Sequence, residues 1–174
     1  MSNNTKTIFI SIASYRDTEL IPTIKDCLDN AKNPKRLRFG IIRQYSKEDE
    51  GVDDLVDYKK DKRFNIVEID HKKAGGVCKI RRQIQEMQDD EDYILQLDSH
   101  HRFIEDWDSV CIQELENLKK KCKKPILTAY LPSYEPDNKK AWVQSPWEMR
   151  FDRYLPQGPA MPKPETIDDH KKLK

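Results

Sequence analysis

The segment "EDYILQLDSHHRFIEDWD", Glu91 to Asp108, changes character in its middle. Tyr93-Ile94-Leu95-Gln96-Leu97 is an apolar run of strand length, and it passes abruptly into Asp98-Ser99-His100-His101-Arg102. Such a run reads as a buried core strand. A carboxylate and two imidazoles at its tip have two explanations: a polar loop that caps the strand, or a site built to hold a metal.

Outward from this segment, strand and helix patterns alternate. "TIFISIAS" (Thr7–Ser14) is a buried strand ending in Tyr15-Arg16-Asp17. Asp17 can cap a helix in which Leu20, Ile21, Ile24, Cys27, Leu28 and Ala31 share one face. "RLRFGIIRQ" (Arg36–Gln44) is a second strand, and an acidic loop "SKEDEGVDD" leads to a third, "RFNIVEID" (Arg63–Asp70). Gly75-Gly76 breaks the chain before a helix carrying Val77, Ile80, Ile84 and Met87. After the opening strand, a helix of about residues 106–121 turns Val110, Leu115 and Leu118 inward, and "PILTAYLP" (Pro125–Pro132) reads as a fifth strand. Strands separated by helices predict an α/β fold with a mainly parallel central sheet. Residues 1–132 form the expected core. Residues 133–174 form a proline- and aromatic-rich extension without regular structure, ending in a mobile tail that contains His170.

Composition narrows the function. A chain of 174 residues suits one domain, and its 32 Lys and Arg against 31 Asp and Glu leave a net charge of +1. Nucleic-acid binders carry a basic excess, so that class is disfavoured. The Lys119–Lys124 cluster follows a helix and complements its C-terminal dipole. No apolar run approaches the ~18 residues of a membrane span, and "MSNNTKT" has no signal-peptide pattern. Cys27, Cys78, Cys111 and Cys122 form no C-x-x-C pair, as expected of a reducing, cytoplasmic-type compartment.

In a parallel α/β sheet, ligands gather at the carboxyl ends of the strands. Three polar clusters fall there: Ser14-Tyr15-Arg16-Asp17, Gln44-Tyr45 and Asp98-Ser99-His100. On an extended backbone Asp98 and His100 face one side and Ser99 the other, making half a site for a divalent ion that accepts oxygen and nitrogen donors. A lone D-x-H is weak in so charged a chain; Asp98 serves equally as a cap for the next turn, and His101 as a solvated neighbour. In "GGVCKIRR", Lys79, Arg81 and Arg82 on the first turns of a helix suit phosphate; a solvated helix face after a glycine turn is the alternative.

In this order and spacing, "ISIASYRD", "GGVCKIRRQIQ" and "EDYILQLDSHHRFIEDWD" resemble the metal-dependent glycosyltransferases of the GT-A fold, a Rossmann-like nucleotide-diphospho-sugar transferase architecture. More narrowly they resemble the N-acetylglucosaminyltransferases that modify hydroxyproline on a cytoplasmic ubiquitin-ligase subunit, and more distantly the polypeptide N-acetylgalactosaminyltransferases. The resemblance covers about residues 7–132. It implies that Asp98 and His100 ligate Mn²⁺ or Mg²⁺, with Asp98 also near ribose and diphosphate. Ser14, Tyr15 and Arg16 would line the uridine pocket, and Arg81 would lie near the nucleotide. It further implies a retaining transfer of a sugar, GlcNAc first, from a UDP-sugar to a hydroxyl on a protein or glycan. No carboxylate pair stands out as nucleophile and base; in such enzymes the leaving phosphate itself can deprotonate the acceptor. Ile80 departs from the small residue that commonly precedes the arginine. Family members also usually continue past Lys174 into an acceptor section, so the alternative is a non-catalytic UDP-sugar-binding or protein-interaction relative.

Overall fold

The computed structural model describes residues 6–49, 55–136, 138–142 and 145–167. His170 and part of the acidic loop, 50–54, lie outside them. The chain divides into two compact units, Met1–Glu116 and Asn117–Lys174.

The first unit is built on four parallel strands, β1 (Ile8–Tyr15), β2 (Leu37–Tyr45), β3 (Phe64–Asp70) and β4 (Tyr93–Asp98), in the order β3-β2-β1-β4. Helices α1 (Leu20–Asp29), α2 (Val56–Lys60), α3 (Val77–Gln85) and α4 (Trp107–Lys119) alternate with them. This is the Rossmann-like α/β architecture expected of a GT-A fold. The central strands β1 and β2 are covered on both faces, which is why they read as almost unbroken apolar runs. On one face Ile8, Ile10, Ile12, Phe39 and Ile41 pack with Leu20, Ile24 and Cys27 of α1 and Trp107 of α4. On the other, Phe9 and Ile42 pack with Ile80 and Ile84 of α3. Ile80, the departure noted in the sequence, is therefore a core residue.

The outer strands correct one expectation. In β4 burial alternates, and Ile94 is 51% exposed, rather than being enclosed on both sides. Among the described residues β4 ends the sheet, and α3 lies against β1 and β2. Only one face of β4 is thus covered. Helix α4 also differs: Trp107, Cys111 and Ile112 meet the core, whereas Val110 is exposed.

Gly76 precedes α3 at φ 84° and ψ 157°, a region open essentially to glycine alone. Gly76→Ala is expected to lower stability by about 1–3 kcal/mol although no atom crowds the position. Thermal unfolding checks this, and an unchanged midpoint would refute it.

In the second unit, "PILTAYLP" is not a strand: Tyr130 alone bridges Trp147, and Ile126 is 84% exposed. β propensity reflects packing on a half-buried surface, which this run lacks. Conversely, the proline-rich segment holds an antiparallel hairpin, β5 (Trp147–Tyr154) and β6 (Ala160–Thr166), turned at Gly158 with φ 97°. Pro162 and Pro164 are two apart, so both fall in the strand phase whose nitrogen points away from the partner. No helix among the described residues is long and apolar enough to cross a membrane.

Candidate functional site

The strand order fixes where a site forms. The chain builds outward from β1 to β2 and β3, then crosses back to place β4 on the other side of β1. Adjacent loops diverge at such a switch point and leave a crevice at the carboxyl ends of the two strands. Here those ends are Tyr15-Arg16-Asp17 and Asp98-Ser99-His100, with Ala13 and Asp98 in register.

Asp98 lies half-exposed on the uncovered face of β4, the face on which α3 packs against the neighbouring strands. Arg81 reaches it from α3, its terminal nitrogen 2.6 Å from Oδ1. The Arg81 Nε atom is buried and has no hydrogen-bond partner among the described residues. Two residues seventeen apart in sequence are thus joined. The other cations of α3 do not converge there: Arg82 pairs with Glu86 one turn on, and the Lys79 stem lies over Gly75.

Asp17 organises the loop after β4. Its Oδ1 accepts the Glu19 amide at 2.9 Å. Its Oδ2 accepts the Ser99 hydroxyl at 2.6 Å and lies 2.8 Å from His100 Nδ1. Burial raises the Asp17 carboxyl, but His100, Ser99 and the Glu19 amide outweigh it and hold the group below the usual carboxylate range. An ionised carboxylate can only accept, so Nδ1 of His100 carries a proton, and in the neutral imidazole Nε2 is the nitrogen with the lone pair. Strand alternation, expected to turn Ser99 and His100 to opposite sides, does not reach this loop. β4 stops at Asp98, and Ser99 and His100 turn to the same Asp17 oxygen rather than to opposite sides. Their orientation comes from hydrogen bonds, not strand alternation.

Helix α1 anchors this loop. The buried Thr23 hydroxyl donates to the Ser99 carbonyl and accepts the His101 amide, each at 2.9 Å. Asp26 accepts the Phe103 amide at 2.6 Å. Arg102 pairs with Glu19 at 2.5 Å. His101 is half-buried rather than solvated, with Nδ1 at 2.9 Å from the Asp98 carbonyl. Burial lowers its pKa, and the carbonyl only partly opposes this.

The residues expected to line a nucleoside pocket separate. Ser14 is buried, its hydroxyl without a partner among the described residues, while Tyr15 is 54% exposed. Arg16 takes a left-handed φ of 47° and makes a forked pair with Asp49 at 2.7–3.3 Å. Arg16, Asp17, Arg43, Tyr45 and Asp49 line a hollow of about 100 Å³ at the β1 and β2 ends. The Arg16 guanidinium and the Ser46 amide hold Asp49 below the ordinary carboxylate range. Sequence reading missed Asp49 and Arg43, because nothing local marks a carboxylate inside an acidic loop or an arginine inside an apolar strand.

Among the described residues no three His, Cys, Asp or Glu side chains group to hold a metal. The donors Asp98 and His100 do fit a hard to borderline divalent ion: one carboxylate, one imidazole with an available Nε2, and open positions for water and substrate oxygens.

The chain matches the family model described as "Glycosyltransferase (GlcNAc)" over residues 7–67 and 55–151. It belongs to that family. The GlcNAc glycosyltransferase match runs from the start of β1 through the middle of β5, past the stretch covered by the sequence resemblance. It includes every candidate site residue named above. The chain is therefore a glycosyltransferase of α/β architecture. A comparison with curated proteins found no match.

Proposed function

We propose that this glycosyltransferase moves N-acetylglucosamine from UDP-GlcNAc to a hydroxyl of a protein or glycan, with retention at the anomeric carbon. The single observation that carries the reading is the meeting of the β1 and β4 ends at the switch point. There Asp98, His100 and Arg81 offer a carboxylate, an imidazole and a cation. Asp98 and His100 would hold Mn²⁺ or Mg²⁺. When bound, such an ion neutralises charge growing on the departing diphosphate.

The chain's own groups would bind and orient the donor. Arg81, anchored on Asp98 through one terminal nitrogen, would turn the exposed part of its guanidinium to diphosphate oxygens. Arg16 would border the nucleoside side, with Arg43 and Tyr45 of the hollow beside it. No side chain is assigned as nucleophile. The bond from C1 to the diphosphate breaks, the acceptor oxygen joins C1, and the acceptor proton passes to the leaving phosphate. The four cysteines, none of them disulfide-bonded, suit a reducing, cytoplasmic compartment.

The test is calorimetric titration of UDP into the native chain with Mn²⁺ and then with chelator, followed by release of GlcNAc from UDP-GlcNAc. Binding that requires Mn²⁺, with sugar release, is the expected result. UDP binding without release or transfer would support a non-catalytic relative. No UDP binding in Mn²⁺ would overturn the donor and metal assignment.

A further inference from the structure

We infer that Asp17 is the positioning residue for His100, presenting Nε2 of that imidazole to a divalent cation and linking the β1 loop to the β4 loop. The inference rests on the metal reading proposed above. Three features separate Asp17 from an ordinary turn carboxylate.

First, its partners divide by oxygen. Oδ1 serves the local turn through the Glu19 amide, whereas Oδ2 serves only residues more than eighty positions away, Ser99 and His100. A turn carboxylate needs the first and has no use for the second. Second, Asp17 is largely shielded while the His100 side chain remains 58% exposed. The partly buried carboxylate therefore grips one edge of a ring that is more than half exposed. That is the arrangement in which a carboxylate sets the tautomer of a metal-ligating histidine and raises its basicity. Third, the backbone on both sides is held independently. Thr23 clamps Ser99 and His101, so the His100 main chain stays in place and its ring angle is left for Asp17 to decide. Asp17 also borders the hollow beside Arg16, placing one residue between the two parts of the site.

The test uses the full chain, with Asp17→Asn and Asp17→Ala beside the native protein. The asparagine retains an acceptor for the Glu19 amide, so it guards against loss of the fold, which thermal unfolding monitors. Two quantities are read: the His100 tautomer, from long-range proton–nitrogen NMR of the metal-free chain at mildly alkaline pH, and Mn²⁺ affinity from calorimetry. Native His100 is expected to carry its proton on Nδ1, and Asp17→Ala to shift the population toward Nε2–H. Mn²⁺ affinity is expected to fall by about 10–100-fold in Asp17→Ala and by about 10-fold in Asp17→Asn.

Native binding of Mn²⁺ with both variants within about twofold would overturn the inference and leave the metal reading standing. So would an Nε2–H tautomer in the native chain. Failure of the native chain to bind Mn²⁺ would overturn both together.

Discussion

Asp98→Ala weakens Mn²⁺-dependent UDP binding by at least about 100-fold, or about 2.8 kcal/mol. Changes to groups outside the ligand shell already cost 10–100-fold in metal affinity, and on the function proposed above a direct donor would be removed. The loss is sharpened by Arg81. In the native chain its guanidinium is compensated by Asp98 at 2.6 Å, and the substitution strips that compensation from a partly buried cation. On that proposal the metal would lose a ligand while the cation loses its anchor. His101→Ala is the matched comparison, because its ring touches the Asp98 carbonyl rather than the carboxylate and its backbone is held by Thr23. Calorimetric titration of UDP in Mn²⁺ should show His101→Ala within about threefold of native. Equal losses from the two substitutions would mean that loop integrity, not ligation by Asp98, controls binding.

Asp108→Ala destabilises the first unit by about 3–5 kcal/mol, the range for removing one partner from a buried charged network. The Asp108 side chain is fully buried. Its Oδ1 accepts the Lys32 amide at 2.8 Å and its Oδ2 the Asn33 amide at 3.2 Å, with Arg36 Nε 3.4 Å away. An alanine leaves two backbone donors without their acceptor and the Arg36 guanidinium without its counter-charge. Next to it, Trp107 closes over Phe103 and donates its indole N–H to the Cys27 carbonyl at 2.9 Å. The expected readout is a fall of about 10 °C or more in the unfolding midpoint. A change smaller than about 2 °C would show that this network carries little of the stability. The conclusion bears on the motif as well: the "DWD" at the end of the opening segment fastens α4 to the end of α1, and its chemistry is structural.

Particular elements show how far the chain can be read directly. β1 and β2 were legible because strands covered on both faces are apolar without interruption. The glycine break before α3 was legible because residue 76 requires a conformation that other side chains resist. Asp98, His100 and Arg81 were legible as candidates, through a resemblance carried by local motifs. The strand read at Pro125–Pro132 and the hairpin unread at 147–166 fail for one reason. Whether a segment pairs depends on a partner elsewhere in the chain, and neither composition nor proline content reports that partner.

What the sequence by itself determined is the alternation of strand and helix, the apolar faces of α1 and α3, and the residue types at the strand ends. Local backbone preference and side-chain periodicity are properties of neighbouring residues, so they can be read along the chain. Only the tertiary structure decided that Asp17 meets Ser99 and His100, that Arg81 meets Asp98, and that Arg16 meets Asp49. Each pair joins residues between seventeen and eighty-three positions apart. Such contacts are set by the crossover that carries β4 back beside β1, and by which sheet face each helix covers.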